Sequence, residues 1–205
     1  ALVTLASFAT DMGLPVLAAT AASLGVTPGR AALTLSVFMA GFAVGPLVFG
    51  PLSDRYGRRP VLLAACAAFA SFGALGAFAR SLDALLVWRF CMGAAAGTAS
   101  VLVLATVRDH FTGGEARAKQ SYVNLASGIA PIIAPTVGVW VATLGGWRAI
   151  YGVLAGAGVA LLAAAWLALG ESAPRDRGAA LTLGRTLGSY ARVLRHPVTI
   201  GYTLV

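Results

Sequence analysis

The stretch Gly50-Pro51-Leu52-Ser53-Asp54-Arg55-Tyr56-Gly57-Arg58-Arg59-Pro60 puts four charges in a row of six residues, between charge-free runs that cover 31–53 and 60–79. Each run reaches about the 20 residues that a helix needs to cross a bilayer core of about 30 Å. Charge confined to so short a segment is what joins two membrane-spanning helices on one face of a bilayer. Within the segment, Gly57 permits a positive φ that other residues resist. Asp54 is able to pair with the arginines or to cap a helix, and Pro60 suits the first turn of the next one. Taken alone, the loop is either a specific device or no more than a basic topology signal.

Outward from this loop the same alternation continues. Further charge-free runs cover 12–29, 90–107, 120–147 and 149–170. One apolar run could be the core helix of a soluble domain, but six in series could not. The reading is six spans at 1–21, 31–53, 60–79, 84–107, 121–144 and 148–170. Only 11% of the 205 residues are charged, and mean hydropathy is +0.84. Soluble domains carry about 25% charged residues. The fold class expected is therefore an all-α, multi-pass membrane protein.

The net charge of +8 raises the question of nucleic acid, and its placement answers it. Loop 53–60 holds Arg55, Arg58 and Arg59; loop 108–119 holds Arg108, Arg117 and Lys119; segment 171–197 holds Arg175, Arg177, Arg185, Arg192 and Arg195. The alternate loops hold only Arg30, Arg80 and Arg148. This asymmetry is the positive-inside pattern, so it predicts a cytoplasmic N-terminus in the inner membrane and no nucleic-acid partner. Trp88 and Trp147 fall where an outer aromatic belt would put them. Cys66 and Cys91 lie inside spans, which supports neither a disulfide framework nor a metal site. His110 and His196 lie in connectors, and no pairing of catalytic groups points to an enzyme.

Three regions are expected: a six-helix domain over 1–170, a basic connector over 171–197, and the start of a seventh span over 198–205. Leu183, Leu187, Tyr190 and Leu194 share one helical stripe opposite Arg185 and Arg192. That makes the connector either an amphipathic helix on the bilayer surface or a solvated loop. Both termini read as cut, the second of them just as a seventh span begins. The spans divide into two sets of three, 1–80 and 84–170, which suits an inverted repeat.

The loop resembles the signature loop of the major facilitator superfamily, G-x-L-a-D-r-x-G-r-k. Gly50, Leu52, Asp54, Arg55, Gly57 and Arg58 match it, and Arg59 stands in for Lys. The resemblance implies one six-helix half of a twelve-helix carrier, whose Asp54 and Arg55 gate the cytoplasmic side by holding the halves together.

Span four carries Arg89 and Gly93, which resemble the family's R-x-x-q-G motif with Met92 in place of Gln. A charge within hydrocarbon costs at least about 2.5–3.5 kcal/mol on insertion scales. Arg89 therefore faces an internal site or snorkels to the surface, and the resemblance gives it a part in proton coupling. Span five has Pro131 and Pro135, which kink a helix. It also has a ridge of Ala130, Ala134 and Gly138 that admits a close neighbour. These residues resemble the antiporter motif g-x-x-x-G-P-x-x-G-G, with Pro135 and Gly138 matching and Ala134 replacing a glycine. The family associates that motif with export.

Span one contains Thr10-Asp11-Met12-Gly13-Leu14-Pro15. Asp11 is the one carboxylate within a span. Desolvation favours the neutral form of a carboxylate, which suits reversible proton carriage, and a hydrogen-bond hub is the other reading. The segment resembles the start of bicyclomycin/chloramphenicol-resistance-type drug:proton antiporters, with Gly13 where Tyr is usual. Asn124 in span five either lines the cavity or bonds another helix. Together these resemblances imply export of small, mainly apolar compounds in exchange for protons, with no cofactor beyond the proton. Asp11, Met92 and Asn124 are the candidate cavity residues. The rival readings are a proton-coupled metabolite importer of the same fold and a six-helix dimeric membrane protein or sensor.

Overall fold

The computed structural model describes residues 2–110 and 113–168, all of them in helices or the short turns between them. In chain order the helices are α1 (Leu2–Asp11), a 3-10 turn (Leu14–Val16), α2 (Leu17–Leu24), α3 (Pro28–Tyr56), α4 (Arg58–Ala77), α5 (Leu82–His110) and α6 (Gly113–Ala168). The expected connector 171–197 and seventh span lie outside the described residues.

Six bilayer crossings follow from these elements. Helices α3, α4 and α5 cross once each, and α1 with α2 makes one crossing over Val3–Leu24. The apolar part of α6 is 48 residues long, twice what one crossing needs. It is broken at Gly145 (φ −162°, ψ 27°) and Gly146 (φ 67°, ψ −167°), so its first and second arms are separate spans. Gly146 is required there because a side chain resists that left-handed φ.

The termini of the spans obey their sequence. Thr27 caps α3 by accepting from the Arg30 N–H at 3.4 Å, and Pro28 takes the first helical position. At the other end Gly57 adopts φ 98° and ψ 153°, which closes α3 and opens α4 in a single residue. Its N–H donates to the Ser53 carbonyl at 3.0 Å.

Close backbone approach organises the bundle. A methyl group on Gly41 would overlap the Phe90 carbonyl, and one on Gly45 the Ala94 carbonyl. Reciprocally, Gly93 and Gly97 lie against the carbonyls of Phe38 and Phe42. Four glycines thus seat α3 and α5 side by side, running parallel, because 38 pairs with 93 and 42 with 97. In a bilayer no hydrophobic driving force separates helix from lipid, so such close van der Waals contact is what selects partners. Gly138 on the first arm of α6 makes the same kind of contact with Met12. The second arm runs antiparallel to α4, with Gly73 against Ala155, Gly76 against Tyr151 and Gly158 against Ala70. Spans one and five therefore pair as spans two and four do, and spans three and six pair with each other antiparallel. A two-fold axis in the membrane plane produces this exchange.

One refinement and one correction follow. The span expected at 1–21 is present, over Val3–Leu24, and its helix breaks after Asp11. Pro15 has no N–H to offer the residue 11 carbonyl, so the α-helical ladder is interrupted there. The chain makes a 3-10 turn there, with the Val16 N–H donating to the Gly13 carbonyl at 3.2 Å. The prolines at 46, 51, 131 and 135, by contrast, sit within continuous helix. Trp147 is not a lipid-facing belt residue. It turns inward after Gly146, is 4% exposed, and packs with Ala79 and Leu85 beneath the Arg148 guanidinium, 4.3 Å from its ring.

Candidate functional site

Arg89 does not snorkel. It is 2% exposed and lies where α1, α3, α5 and the second arm of α6 meet. The last backbone bond of α1 runs from the Met12 N–H to the Phe8 carbonyl at 3.1 Å, so the next carbonyl, that of Ala9, has lost its helical donor. Arg89 Nη1 donates to that oxygen at 2.8 Å, and Nε donates to the Thr34 carbonyl at 3.3 Å. A cation at a helix C-terminus satisfies orphan carbonyls and complements the helix dipole. The guanidinium also lies 4.7 Å from the Phe38 ring centre and 5.6 Å from that of Tyr151. Charge in the low-dielectric interior is thus held by carbonyl dipoles and aromatic faces.

Asp11 is the last residue of α1, two residues beyond the capped Ala9. Its carboxylate is half-buried, and among the described residues it forms no ion pair or hydrogen bond. Thr10 beside it returns its hydroxyl to the Ala6 carbonyl at 3.0 Å. The break beyond Asp11 is held from the side by span five. Gly138 meets the Met12 backbone, while Ala130 and Ala134 are buried on the same ridge. Pro135 is half-buried and Pro131 exposed. The antiporter-type ridge and the candidate proton-carrying segment are therefore one packing unit, which their 120-residue separation in sequence hid.

In the basic loop, Ser53 is buried and its hydroxyl donates to the Gly50 carbonyl at 2.6 Å. Asp54 is exposed, and Arg55 stacks 5.4 Å from the Tyr56 ring centre. Arg59 Nη2 donates to the Trp166 carbonyl at 2.9 Å, tying the loop to the end of the second arm. Arg58 is half-buried next to it. A side chain at Gly50 would meet nothing within 4 Å among the described residues, so only Gly57 is demanded by local geometry. At the opposite end of the bundle Arg148 donates to the Ser23 hydroxyl at 3.2 Å and to the Ala79 carbonyl at 3.0 Å. Arg59 thus ties α4 to the second arm at one membrane face, and Arg148 ties the second arm to α2 and to the turn after α4 at the other.

The candidate cavity residues separate. Met92 is fully buried in the core with Phe38, Met12 and Leu154, so it packs and does not line open space. Asn124 is exposed, and its amide oxygen accepts from Gln120 Nε2 at 3.4 Å within its own helix. It bonds no other helix among the described residues. A cavity of about 10 Å³, enough for one water, is bordered by Gly13, Thr20, Thr34, Arg89, Trp147 and Tyr151. A separate apolar groove of about 680 Å³ lies between α3, α4 and α5, with Phe49, Tyr56, Ala68 and Phe90 among its walls and neither Asp11 nor Arg89. Among the described residues no group of three His, Cys, Asp or Glu is placed to hold a metal ion. Sequence reasoning missed Phe38 and Tyr151; each reads as an ordinary apolar-span aromatic until Arg89 is found between them.

Six membrane-crossing helices in two inverted sets of three, with a capped break in the first, define an all-α membrane bundle. The Major Facilitator Superfamily profile matches residues 1–205, and the chain belongs to that family. It is similar to a chloramphenicol resistance protein of Pseudomonas aeruginosa, 39% identical over 166 residues, covering 79% of this chain and 39% of the relative. It is also similar to a bicyclomycin resistance protein homolog of Haemophilus influenzae, 27% identical over 195 residues, covering 95% and 49%. The chain thus spans less than half the length of these relatives. The solved structure of the proton:xylose symporter XylE superposes with a TM-score of 0.71 at 16% identity, over 83% of this chain and 44% of that one. That likeness concerns the fold alone.

Proposed function

We propose that this chain is the six-helix half of a carrier that exports small, mainly apolar drug-like compounds in exchange for protons, by rocking against a second half. The observation that carries the reading is the break in span one. It holds the one carboxylate within the spans among the described residues, Asp11, beside a carbonyl capped by the buried Arg89. Protonation there alters charge at a helix end that Arg89 and Gly138 both touch through neighbouring residues, which links proton occupancy to helix packing. The names of the two relatives support a drug as cargo. The exposed Asp54 and the open space at Gly50 suit closure of the loop face by the second half. The charge pattern supports a cytoplasmic N-terminus in the inner membrane.

Transport direction tests the reading. In everted vesicles carrying the full-length carrier, with an acid lumen, chloramphenicol should accumulate inside and its addition should dissipate the pH gradient. An importer would instead expel the drug from the lumen together with protons, and that result would overturn the proposal.

A further inference from the structure

Tyr151 stands on the second arm of α6, 62 residues from Arg89, yet its ring centre is 5.6 Å from the guanidinium carbon. Phe38 on α3 lies 4.7 Å from the same carbon, so two aromatic faces from two helices meet one cation. The Tyr151 ring is itself fixed. Trp147 meets it edge-on, with centres 5.8 Å apart and an angle of 87°. Behind it, Gly76 of α4 leaves no room for a side chain: a Cβ there would come within 2.8 Å of Tyr151 Cδ1. Tyr151 and Arg89 also border the same water-sized cavity as Gly13, in the broken segment of span one.

From this arrangement we infer that Tyr151 is a positioning residue for proton coupling: with Phe38 it clamps the Arg89 guanidinium on the Ala9 carbonyl at the break beside Asp11. The inference rests on the proton-exchange reading above. Tyr151 acts through its ring face and not by giving up a proton. A cation–π contact out of water is strong enough to hold a guanidinium that has only two backbone acceptors. Within the bilayer the titratable groups on the elements around Arg89 are Asp11 on α1, Cys91 on α5, which faces the apolar groove, and Tyr151 itself. Nearer the membrane face, Asp83 in the first turn of α5 is exposed, and Arg148 on the second arm is taken up by Ser23 and the Ala79 carbonyl. Loss of the clamp frees the cation to leave Ala9, and the pH at which the carrier exchanges proton for drug then moves.

The test uses the full-length carrier, with chloramphenicol binding and pH-gradient-driven uptake measured across pH. Tyr151→Phe keeps the ring and should match the wild type within about twofold, since the hydroxyl makes no hydrogen bond among the described residues. Tyr151→Leu should lower driven uptake by about tenfold to thirtyfold, the fold-change of a desolvated cation–π contact, and displace the midpoint of the binding pH profile. Pentafluorophenylalanine introduced at position 151 keeps the ring's shape and reverses its charge distribution. It should reproduce the Leu result, and it serves equally if the Leu variant does not fold. In an Arg89→Lys background, Tyr151→Leu should add little, because a compact ammonium does not lie flat between rings. Wild-type pH profiles for both ring-disrupting variants, or full additivity with Arg89→Lys, would overturn the role of Tyr151. A wild-type carrier with no pH-dependent exchange at all would instead overturn the proton-exchange reading beneath it.

Discussion

At the scale of single residues, the two glycines of the basic loop separate cleanly. Gly57 holds φ 98° and ψ 153°, a region that L side chains rarely enter, whereas Gly50 is helical with open space around it. Forcing a side chain into such backbone costs on the order of 1–3 kcal/mol. Gly57→Ala should therefore lower the thermal unfolding midpoint of this chain in detergent, while Gly50→Ala should change stability by no more than about 0.5 kcal/mol. Equal losses for both would mean that the turn is not what needs the glycine. The demand at Gly57 was legible in the sequence, because a turn flanked by two apolar runs needs a residue that reverses direction. The surroundings of Arg89 were not. A lone arginine near the start of a span has two homes, surface and interior. The choice was made by Ala9, Thr34, Phe38 and Tyr151, which sit on three other helices.

At the scale of elements, the parallel pair α3 and α5 is the tightest interface, seated on Gly41, Gly45, Gly93 and Gly97. Overpacking a close interface costs about 1–3 kcal/mol, and more where backbone must move. Gly93→Val should thus yield a chain that inserts but unfolds at lower temperature or aggregates in detergent. Gly156→Val, exposed and with nothing within 4 Å, should behave as wild type. Size-exclusion chromatography after heating distinguishes the two, and a stable Gly93→Val chain would refute the packing assigned to that seam. Here sequence reading succeeded in part. Gly93 stood out through its motif, but neither the Phe38 and Phe42 backbone it meets nor Gly41 and Gly45, which complete the seam, could be matched to it without knowing which spans lie side by side. The break in span one was written in Gly13 and Pro15 and was masked by the length of the apolar run around them. Hydropathy reports burial in lipid, and it is blind to where the backbone ladder is interrupted.

At the scale of the whole molecule, the six crossings were legible because charge is costly inside a bilayer and therefore marks every loop. The pairing of the crossings was not, since it follows from backbone contacts such as Gly138 on Met12 and Gly76 against Tyr151. The assembled bundle brings the antiporter-type ridge, the buried arginine and the intramembrane carboxylate to one place, the broken middle of span one. On the proposed reading, Asp11 carries the exchanged proton. In an exchanger, drug binds the deprotonated carrier and proton binding releases it, so drug affinity should fall as pH drops through the titration of Asp11. Asp11→Asn keeps size and hydrogen bonding but has no proton to release, and so stands permanently for the protonated form. The decisive measurement is equilibrium binding of chloramphenicol across pH to wild-type and Asp11→Asn full-length carrier, followed by pH-gradient-driven uptake in liposomes. Binding to the wild type should weaken at low pH, binding to the variant should be weak and flat, and the variant should retain only downhill exchange. An Asp11→Asn carrier that still concentrates drug against its gradient would make Asp11 a structural residue and rule it out as the proton carrier.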